Sequence, residues 1–327
     1  MKNILVTGGA GYIGSIITQK LIISGYNVIV IDNLSTGHKK LVHNKCHFFK
    51  SDFADLRSLD KIFTKFKIDS VIHLAASLSV EESMLNPKKY YLNNVFKTVK
   101  ILKYLKNKNI KKFIFSSTCS VYGNPKIGEV KVKEKSFLDP ESHYGLTKMM
   151  CEQLIKNYSQ KNSFKYIILR YFNVVGAEHN MKFGPVNNSG QLFKVLANNI
   201  INKKLKINIY GKDYDTHDGS CIRDYIDVND LAAIHLNIIK AKIKKSFIVN
   251  CGYGHGLSVL EIVKEFEKII KNKIKLNIIN RRKGDVEKIF CDDKLLKKTG
   301  FLKYKTPLIK TIRSQINWEK KINTNKL

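Results

Sequence analysis

Tyr144 and Lys148 have the residue types and the spacing that proton transfer requires. When two residues lie four positions apart on a helix, their side chains lie on the same face. A phenol has a pKa of about 10, so it acts as a base at neutral pH only where a nearby positive charge, such as an ammonium group, stabilises the phenolate. The same spacing occurs on many helix surfaces, so the surrounding elements decide whether this pair does chemistry.

A run of hydroxyl residues supplies that context. Ser116, Ser117 and Thr118 directly follow a predicted strand that ends at Phe115. In open parallel sheets, ligands bind at the carboxyl ends of the strands. We therefore predict that the Thr118 hydroxyl, the Tyr144 phenol and the Lys148 ammonium group meet at one ligand-binding edge.

Three glycines near the start of the chain form a pattern that binds phosphate. Gly8, Gly11 and Gly14 have the spacing G-x-x-G-x-x-G between a predicted strand and a predicted helix over 12–24. Glycine allows a tight turn and a close approach of backbone N–H groups to a diphosphate, which then lies at the positive end of the helix. Asp32 ends the next strand, where a carboxylate accepts hydrogen bonds from an adenosine ribose. A carboxylate at that position favours NAD over NADP.

Asp52 follows the predicted third strand and has two interpretations. It contacts the adenine end of the dinucleotide, or its carboxylate caps a predicted helix over 55–66. The sequence leaves both interpretations open.

Short aliphatic strands alternate with amphipathic helices over the first half of the chain. This alternation is typical of a parallel sheet covered on both faces, so we predict an α/β fold with a doubly wound sheet of the Rossmann type. The predicted strands cover 4–6, 28–31, 47–49, 71–74, 113–115 and 166–169, and the predicted helices cover 12–24, 55–66, 88–107 and 144–160.

The chain is expected to divide near residue 172. We place an NAD-binding domain at 1–172 and a smaller ligand-facing lobe mainly at 173–327. An aliphatic run at 246–251 is expected to return to the first sheet. Within the lobe, the sequence predicts helices over 191–203 and 258–271 and a short strand over 207–210.

The charge of the chain does not identify a partner. The net charge is +31, but most of the 58 basic residues are lysines scattered along the chain in short pairs. Such a distribution predicts solvated surfaces and no nucleic-acid partner. With 43% hydrophobic and 26% charged residues, the composition is that of a folded globular protein and excludes general disorder.

Membrane spans and disulfide frameworks are not indicated either. No apolar run approaches the roughly 18 residues of a membrane-spanning helix, and the apolar stretch near the N-terminus is too short for a signal peptide. The six cysteines lie far apart, with no C-x-x-C motif and no spacing typical of zinc ligands. We expect a cytoplasmic protein with reduced thiols, no metal and no membrane partner.

Longer motifs carry a resemblance that covers about 4–293. They are TGGAGYIGS at 7–15, DNLSTG at 32–37, HLAA at 73–76, SSTCSVYG at 116–123, YGLTK at 144–148, LRYFNVVGA at 169–177, YGKDYDTHDGSCIRDYIDVNDLA at 210–232 and RRKGD at 281–285. In these motifs the chain resembles the extended short-chain dehydrogenase/reductase family and, within it, the UDP-hexose 4-epimerases. The resemblance implies NAD as the cofactor and a UDP-sugar bound mainly by the second lobe.

The resemblance also implies a role for individual residues. The implied catalytic residues are Thr118, which hydrogen-bonds the sugar O4, the general base Tyr144, and Lys148. The implied NAD contacts are Gly8, Gly11, Tyr12, Ile13, Gly14, Asp32, Asn33, Asp52, Leu74, Ala75, Ala76, Asn94, Tyr144, Lys148 and Phe172. The implied UDP-sugar contacts are Thr118, Asn173, Gln191, Leu192, Arg223, Tyr225, Arg282, Asp285 and Ile289.

The two arginines of that set suit a diphosphate. Only six arginines occur in this lysine-rich chain, and a guanidinium fork matches diphosphate oxygens better than an ammonium group does. The structural alternative for Arg223 is an ion pair with Asp224 or Asp227.

The implied reaction is epimerisation at C4, which interconverts UDP-glucose and UDP-galactose. Tyr144 takes the O4 proton while the C4 hydride passes to NAD, the 4-keto sugar rotates about its diphosphate, and the hydride returns to the opposite face. NAD is used without being consumed, and binding of the nucleotide retains the intermediate.

Three positions depart from the pattern of the related enzymes. Leu78 replaces a lysine that contacts the cofactor, and Gln191-Leu192 stands where Asn-Leu or His-Leu holds the nucleotide. Ile289 falls where a tyrosine excludes N-acetylated sugars and a small residue admits them. Because isoleucine is intermediate in size, UDP-N-acetylglucosamine remains an alternative substrate, alone or beside UDP-glucose.

Other functions fit the sequence less well. The related 4,6-dehydratases need an acidic pair after the catalytic threonine, whereas Cys119 and Ser120 follow Thr118. The motif at 210–232 disfavours decarboxylation of UDP-glucuronate. The complete set of Thr118, Tyr144 and Lys148 disfavours a protein that binds NAD without catalysis, and the scattered lysines disfavour a polyanion-binding protein.

The resemblance also implies a homodimer. The helices over 88–107 and 144–160 of two subunits would pair to form a four-helix interface.

Overall fold

Thirteen short strands and eleven α-helices are present in the residues that the computed structural model describes, which are 2–125, 129, 131–160, 164–187, 190–282 and 284–324. The strands are β1 (Asn3–Thr7), β2 (Asn27–Asp32), β3 (His47–Lys50), β4 (Ile68–His73), β5 (Lys112–Thr118), β6 (Lys165–Tyr171), β7 (Asn173–Val175), β8 (Lys206–Tyr210), β9 (Ile222–Asp227), β10 (Phe247–Cys251), β11 (Gly256–Ser258), β12 (Lys275–Ile279) and β13 (Lys288–Ile289). The helices are α1 (Tyr12–Ile23), α2 (Leu56–Lys65), α3 (Val80–Leu85), α4 (Pro87–Tyr90), α5 (Lys97–Leu105), α6 (His143–Gln160), α7 (Leu192–Ile201), α8 (Val228–Lys240), α9 (Val259–Ile270), α10 (Lys294–Thr299) and α11 (Leu308–Thr324).

Seven of these strands form one parallel sheet in the order β10-β6-β5-β4-β1-β2-β3. In the central strand β1, Val6 lies opposite Val30 on one side and Ile72 on the other. Strands buried on both faces need apolar side chains at nearly every position, which is why these segments are near-continuous aliphatic runs. The predicted doubly wound parallel sheet is confirmed.

Helices cover both faces of the sheet. On one face, α1 and α8 pack through residues such as Ile17 and Leu231, which are fully buried. On the other face, Ile62 on α2, Ile101 on α5 and Ile155 on α6 form a second core cluster. The sheet edge at which its strands end is left open between these layers, and that edge carries the site described below.

A second lobe is built from smaller sheets and three helices. Strand β9 pairs with β7, β11 and β13, and β8 pairs with β12. Phe193 on α7, Phe266 on α9 and Ile312 on α11 are buried together in its core. The sequence did not predict α11, because its buried face carries polar residues such as Gln315 and Glu319 beside Ile312 and Trp318 and therefore has no clear apolar period.

The long helix predicted over 88–107 is interrupted in the structure. It consists of α4, a π-helical turn at Tyr91–Phe96, and α5. A π-helical turn contains one extra residue per turn and often occurs at functional sites. Here the turn carries Asn93 and Asn94, which lie beside the open edge of the sheet.

Within the described residues, none of the helices combines the length and the apolar character needed to cross a membrane.

Candidate active site

A cavity of about 420 Å³ opens at the carboxyl ends of the strands of the large sheet. Fifteen of the residues that the sequence assigned to NAD or to UDP-sugar line it. They are Gly8, Gly11, Tyr12, Ile13, Gly14, Asp32, Asn33, Leu74, Ala75, Ala76, Thr118, Tyr144, Phe172, Asn173 and Gln191.

The glycine turn brings the start of α1 to the floor of this cavity. Gly8 has a φ of +74°, and a Cβ on it would lie 2.8 Å from the backbone nitrogen of Ala75, so no larger residue fits between β1 and the loop after β4. At the N-terminus of α1, Gly11 has no side chain, and within the described part of the chain no side-chain cap is bonded to the first turn of the helix. These groups and the helix dipole suit the diphosphate of a dinucleotide.

Asp32 has the geometry of a ribose acceptor. Its Oδ2 accepts a hydrogen bond from the Ala10 N–H at 3.0 Å, and its Oδ1 accepts one from the Leu34 N–H at 2.8 Å. Burial raises the pKa of the carboxyl group, and these two backbone hydrogen bonds lower it. The carboxylate is therefore held in a fixed orientation at the cavity wall, with lone pairs left to accept further hydrogen bonds.

Asp52 does not line the cavity, and the alternative role suggested by the sequence is wrong. Asp55 is the residue that caps α2, through a 3.0 Å hydrogen bond from the Ser58 N–H. Asp52 instead forms an ion pair of 2.5 Å with Lys97 and accepts a long hydrogen bond of 3.5 Å from the Asn33 amide. It thereby supports Asn33, which lines the cavity.

Gly145 sets the distance between α6 and the end of β5. A Cβ on Gly145 would lie 2.4 Å from the Ser120 carbonyl oxygen and 2.9 Å from the Pro140 Cβ. Because glycine has no Cβ, the first turn of α6 packs directly on the turn that follows Thr118. This close approach explains why the residue after Tyr144 is glycine, and it places the Tyr144 and Thr118 side chains together.

Tyr144 and Thr118 form the part of the predicted catalytic group that faces the cavity. Burial raises the pKa of Tyr144, and a hydrogen bond with the Thr118 side chain lowers it. Thr118 Oγ1 also accepts a 3.1 Å hydrogen bond from the Ser120 N–H and contacts the Ser120 hydroxyl at 3.1 Å. The pair therefore presents two hydroxyl groups to a ligand, and the phenol needs added positive charge before it ionises near neutral pH.

Lys148 lies behind this pair rather than in the cavity lining. Its side chain is buried, its Nζ donates to the Ser116 carbonyl oxygen at 2.8 Å, and the ammonium group lies 4.8 Å from the centre of the Phe115 ring. Burial lowers the pKa of Lys148 to about 8, and the charge of Glu152 opposes this by raising it. Lys148 is thus one helical turn from Tyr144, in a position to add positive charge near the phenol.

The predicted diphosphate-binding arginines, Arg223 and Arg282, lie in the second lobe and are not among the residues that line the cavity. Arg223 donates to the carbonyl oxygens of Ile222 at 2.9 Å and Glu287 at 3.2 Å. Among the described residues it forms no ion pair with Asp224 or Asp227, so that alternative is not observed. Burial raises the pKa of Cys119, which lines the cavity, and the charge of Arg223 lowers it, so the guanidinium acts on this part of the cavity.

Tyr225, Arg282 and Asp285 are further predicted contacts in the second lobe, and none of them lines the cavity. Burial raises the pKa of Tyr225, and the charges of both Arg223 and Arg282 lower it. Arg282 Nε donates to Asp285 at 2.9 Å, and its guanidinium lies 4.4 Å from the centre of the Tyr210 ring. The charges of two guanidinium groups therefore reach the same tyrosine. Positive charge concentrated in this way would attract the negatively charged oxygens of a diphosphate.

Three further predicted residues lie outside the cavity lining. Asn94 is buried, with its amide bonded to the Ser77 backbone at 2.8 and 3.1 Å and to the Thr147 hydroxyl at 3.2 Å. Leu192 packs in the core of the second lobe, and Ile289 is buried in a cluster with Phe172. Asn94 therefore holds the loop after β4 against α6, and its neighbour Asn93 reaches the cavity instead.

Sequence reasoning missed several lining residues. Ser35, Thr36 and Gly37 follow Asp32 and belong to the quoted motif at 32–37, which was the available signal. Phe53 and Tyr171 also line the cavity, but both occur in segments that have the pattern of ordinary core.

Among the described residues, no group of three or more His, Cys, Asp or Glu is arranged to hold a metal ion.

Comparison with known protein families identifies the family of this chain. The model of the "NAD dependent epimerase/dehydratase family" matches residues 4–252, which include the glycine turn, Asp32, Thr118, Tyr144 and Lys148. The chain belongs to this family. The family description names NAD, the cofactor expected from the sequence.

Individual relatives match over nearly their whole length. The chain is 38% identical over 329 residues to a UDP-glucose 4-epimerase of Yersinia enterocolitica, with 97% of each chain covered. The structure superposes with a TM-score of 0.92 on a UDP-glucose 4-epimerase of Bifidobacterium longum in complex with NAD+ and UDP, at 34% identity and 100% coverage of both chains. It also resembles the UDP-Glc/GlcNAc 4-epimerase of Campylobacter jejuni, with a TM-score of 0.82, 36% identity and coverage of 98% and 100%.

Proposed function

We propose that this protein is an NAD-dependent 4-epimerase of UDP-hexoses that interconverts UDP-glucose and UDP-galactose. The observation that carries the proposal is the joint presence of Thr118 and Tyr144 in a cavity that also contains the glycine turn and Asp32. Full-length similarity to UDP-glucose 4-epimerases supports the choice of substrate. The related enzyme activities considered from the sequence are not favoured by these findings.

The floor of the cavity holds NAD in this proposal. The N–H groups at the start of α1 bind the diphosphate, and Asp32 accepts hydrogen bonds from the adenosine ribose. The nicotinamide end lies toward Thr118 and Tyr144. When bound, NAD supplies the acceptor that takes a hydride from the sugar C4 and gives it back.

Tyr144 takes and returns the proton of the sugar O4. Its phenol is hydrogen-bonded to the Thr118 side chain, so the two hydroxyl groups can contact the same sugar oxygen. Burial opposes ionisation of Tyr144, so the positive charge of Lys148 is needed to stabilise the phenolate. Lys148 is itself held by the Ser116 carbonyl group, which fixes it relative to the strand that carries Thr118.

The second lobe binds the nucleotide half of the substrate. Arg223 and Arg282 bind the diphosphate, with Tyr225, Asp285, Leu192 and Gln191 around the nucleotide and Asn173 nearer the sugar. This binding is remote from C4, so it holds the keto intermediate while the sugar ring turns over. The keto intermediate therefore does not have to leave and bind again between the two proton transfers.

The choice of sugar depends on the wall near Phe172. Ile289 packs in the same buried cluster as Phe172, so it acts on the cavity through that ring. A large residue in this cluster reduces the room for an N-acetyl group. UDP-N-acetylglucosamine is therefore the second substrate to assay, and the UDP-Glc/GlcNAc 4-epimerase of Campylobacter jejuni is the appropriate comparison enzyme.

The assembly that we propose is a homodimer formed through the π-helical turn and α6. Leu92, Phe96 and Met150 are large apolar side chains on these elements, with 51%, 58% and 37% of their surface exposed. A second copy that pairs the same elements would cover them.

All six cysteines are unpaired, which supports a reducing compartment such as the cytoplasm.

Product analysis tests the proposed function directly. The purified protein with NAD is incubated with UDP-glucose, UDP-galactose or UDP-N-acetylglucosamine, and the sugars are separated and identified by NMR. We expect UDP-glucose and UDP-galactose to reach the same equilibrium mixture from either side, with no net formation of NADH. Absence of conversion of both sugars, while Tyr144→Phe and wild type bind NAD equally, would reject the proposal.

A further inference from the structure

A buried ion pair lies directly behind the catalytic residues, and the mechanism above does not use it. Glu152 and Arg170 are 0% and 1% exposed, and Arg170 donates two hydrogen bonds of 2.9 and 2.6 Å to the Glu152 carboxylate. Replacing such a pair by apolar side chains is often neutral or stabilising, so burial of the pair is weak evidence for a role in stability. Its position relative to the site is more informative.

Glu152 connects the two elements that carry the catalytic groups. It lies on α6 one turn after Lys148, and its Oε1 accepts a 2.6 Å hydrogen bond from the Ser117 hydroxyl on β5. Ser117 stands between Thr118 and Ser116, whose carbonyl oxygen accepts the hydrogen bond from Lys148. The carboxylate therefore holds α6 against the end of β5 at the point where Lys148 and Thr118 are fixed.

Arg170 prevents this carboxylate from turning away. Its guanidinium also donates to the Tyr122 hydroxyl at 2.9 Å and to the Glu134 carbonyl oxygen at 3.0 Å, and Tyr122 in turn donates to Asn250 on β10 at 2.6 Å. Burial by itself lowers the pKa of Arg170, but the hydrogen bond and charge of Glu152 raise it above its ordinary value. If Glu152 left Ser117, a charged group would lose its partner in the core.

Glu152 is also the carboxylate whose charge acts on Lys148. Burial lowers the pKa of Lys148 to about 8, while the charge of Glu152 raises it. Burial also raises the pKa of Cys151 to about 11 and lowers the pKa of His73 to about 3, so both groups are neutral at pH 7. The titratable and charged groups around Lys148 and Glu152 are His73 on β4, Tyr144 and Cys151 on α6, Arg170 on β6, Tyr122 after β5, and Glu134.

We propose that Glu152 is a positioning residue for the epimerisation: its carboxylate fixes α6 on the Ser117 hydroxyl and supplies the negative charge opposite Lys148. The kinetic part of this inference rests on the proposed function. The contacts themselves belong to the protein and are tested without turnover.

Glu152→Gln removes the charge and keeps the shape of the side chain. Loss of a nearby negative charge lowers the pKa of Lys148 further, so the ammonium group is lost at lower pH. We expect the alkaline limb of the kcat profile to move down by about one pH unit, the lower end of the effect of a nearby opposite charge. Ser117→Ala is the matched control, because it removes the hydrogen bond but keeps the charge and should lower kcat without moving this limb.

An NMR titration gives a readout that does not depend on catalysis. In the NAD-loaded protein labelled at the lysine Cε, the Lys148 signal is assigned by its absence in Lys148→Met. We expect it to titrate at lower pH in Glu152→Gln than in wild type. An unchanged titration of Lys148 in the folded variant overturns the inference, whereas a shifted titration in a protein without epimerase activity overturns the proposed function alone.

A double variant keeps the test valid if the single variant does not fold. Glu152→Gln combined with Arg170→Met removes both charges and keeps a similar side-chain volume, so no buried charge is left unpaired. Because loss of the Arg170 charge offsets part of the loss of the Glu152 charge, the titration of Lys148 should move down by less than in the single variant, and kcat should fall because the Ser117 hydroxyl loses the carboxylate. A wild-type kcat in the folded double variant overturns the inference.

Discussion

Replacing Gly145 by alanine tests how closely α6 must approach the end of β5. Alanine is the better helix former by about 1 kcal/mol, so this substitution ordinarily stabilises a helix. Here the new Cβ would lie 2.4 Å from the Ser120 carbonyl oxygen, whereas ordinary contacts begin at 3.4 Å. The oxygen, or the helix, must therefore move by about 1 Å.

The cost of that movement is expected to exceed the gain in helix propensity. Overpacking of a well-packed site costs typically about 1–3 kcal/mol, so the net effect is a lower melting temperature. The effect on catalysis is larger, because the Ser120 N–H is bonded to Thr118 and Gly145 is next to Tyr144. A misplacement of about 1 Å at reacting groups costs about 10²-fold in rate, so we expect kcat to fall by about that factor.

Steady-state epimerase assays and thermal unfolding, both with saturating NAD, measure these two effects. Asn157→Ala, at an exposed position of the same helix, is the control and should raise the melting temperature slightly with no change in kcat. The reasoning is refuted if Gly145→Ala melts at a higher temperature than wild type and keeps its kcat.

Four other outcomes are expected. Tyr144→Phe should lower kcat by about 10²–10⁴-fold with unchanged NAD affinity by calorimetry, since the phenol hydroxyl moves the proton but is not the main dinucleotide contact; equal kcat would contradict its role. Because burial lowers the pKa of Lys148 to about 8, kcat should fall as the pH rises above that value, and a rate that stays constant to pH 10 would argue against the need for the ammonium group. Asp32→Asn should weaken NAD binding about tenfold or more and narrow the preference over NADP, measured by titration of both dinucleotides. Phe96→Glu should convert the dimer to monomers in analytical ultracentrifugation, whereas a monomeric wild type would reject the proposed interface.

The sequence predicted the large sheet, and most of the residues that it assigned to the cofactor line one cavity, because both depend on local patterns. The alternation of aliphatic runs and amphipathic helices identifies parallel strands, and the turn Gly8–Gly14 with Asp32 lies within two consecutive strands and one helix. Such features are formed by residues that are close together along the chain, so a local pattern is enough to identify them. The same is true of Tyr144 and Lys148, which are one helical turn apart.

The second lobe and the buried network were harder to predict, because they depend on contacts between distant segments. Strand β9 pairs with β7, β11 and β13, and each of these strands has only two or three residues, too few to show a period. The pair of Glu152 and Arg170 joins a helix and a strand. Two features of the sequence could have indicated it: an arginine inside an otherwise apolar strand, and an acidic residue four positions after Lys148. Neither feature alone predicts a buried ion pair, but the two together do.

Local competition between residues explains the remaining differences. Asp52 and Asp55 are both suited to cap α2, and the register of the first turn decides in favour of Asp55. The π-helical turn at Tyr91–Phe96 has no residue preference that distinguishes it from an α-helix, so the sequence predicted one uninterrupted helix. The resemblance implied an NAD contact for Asn94, whereas Asn93 is the residue of this turn that lines the cavity.

Following the hydrogen on C4 tests the central claim most directly. UDP-glucose carrying deuterium at C4 is incubated in ordinary water with the protein and a catalytic amount of NAD, and the UDP-galactose formed is analysed by NMR and mass spectrometry. If Tyr144 moves only the O4 proton while the bound nicotinamide carries the C4 hydrogen, the product retains deuterium at C4. Replacement of that deuterium by hydrogen from water would contradict the account.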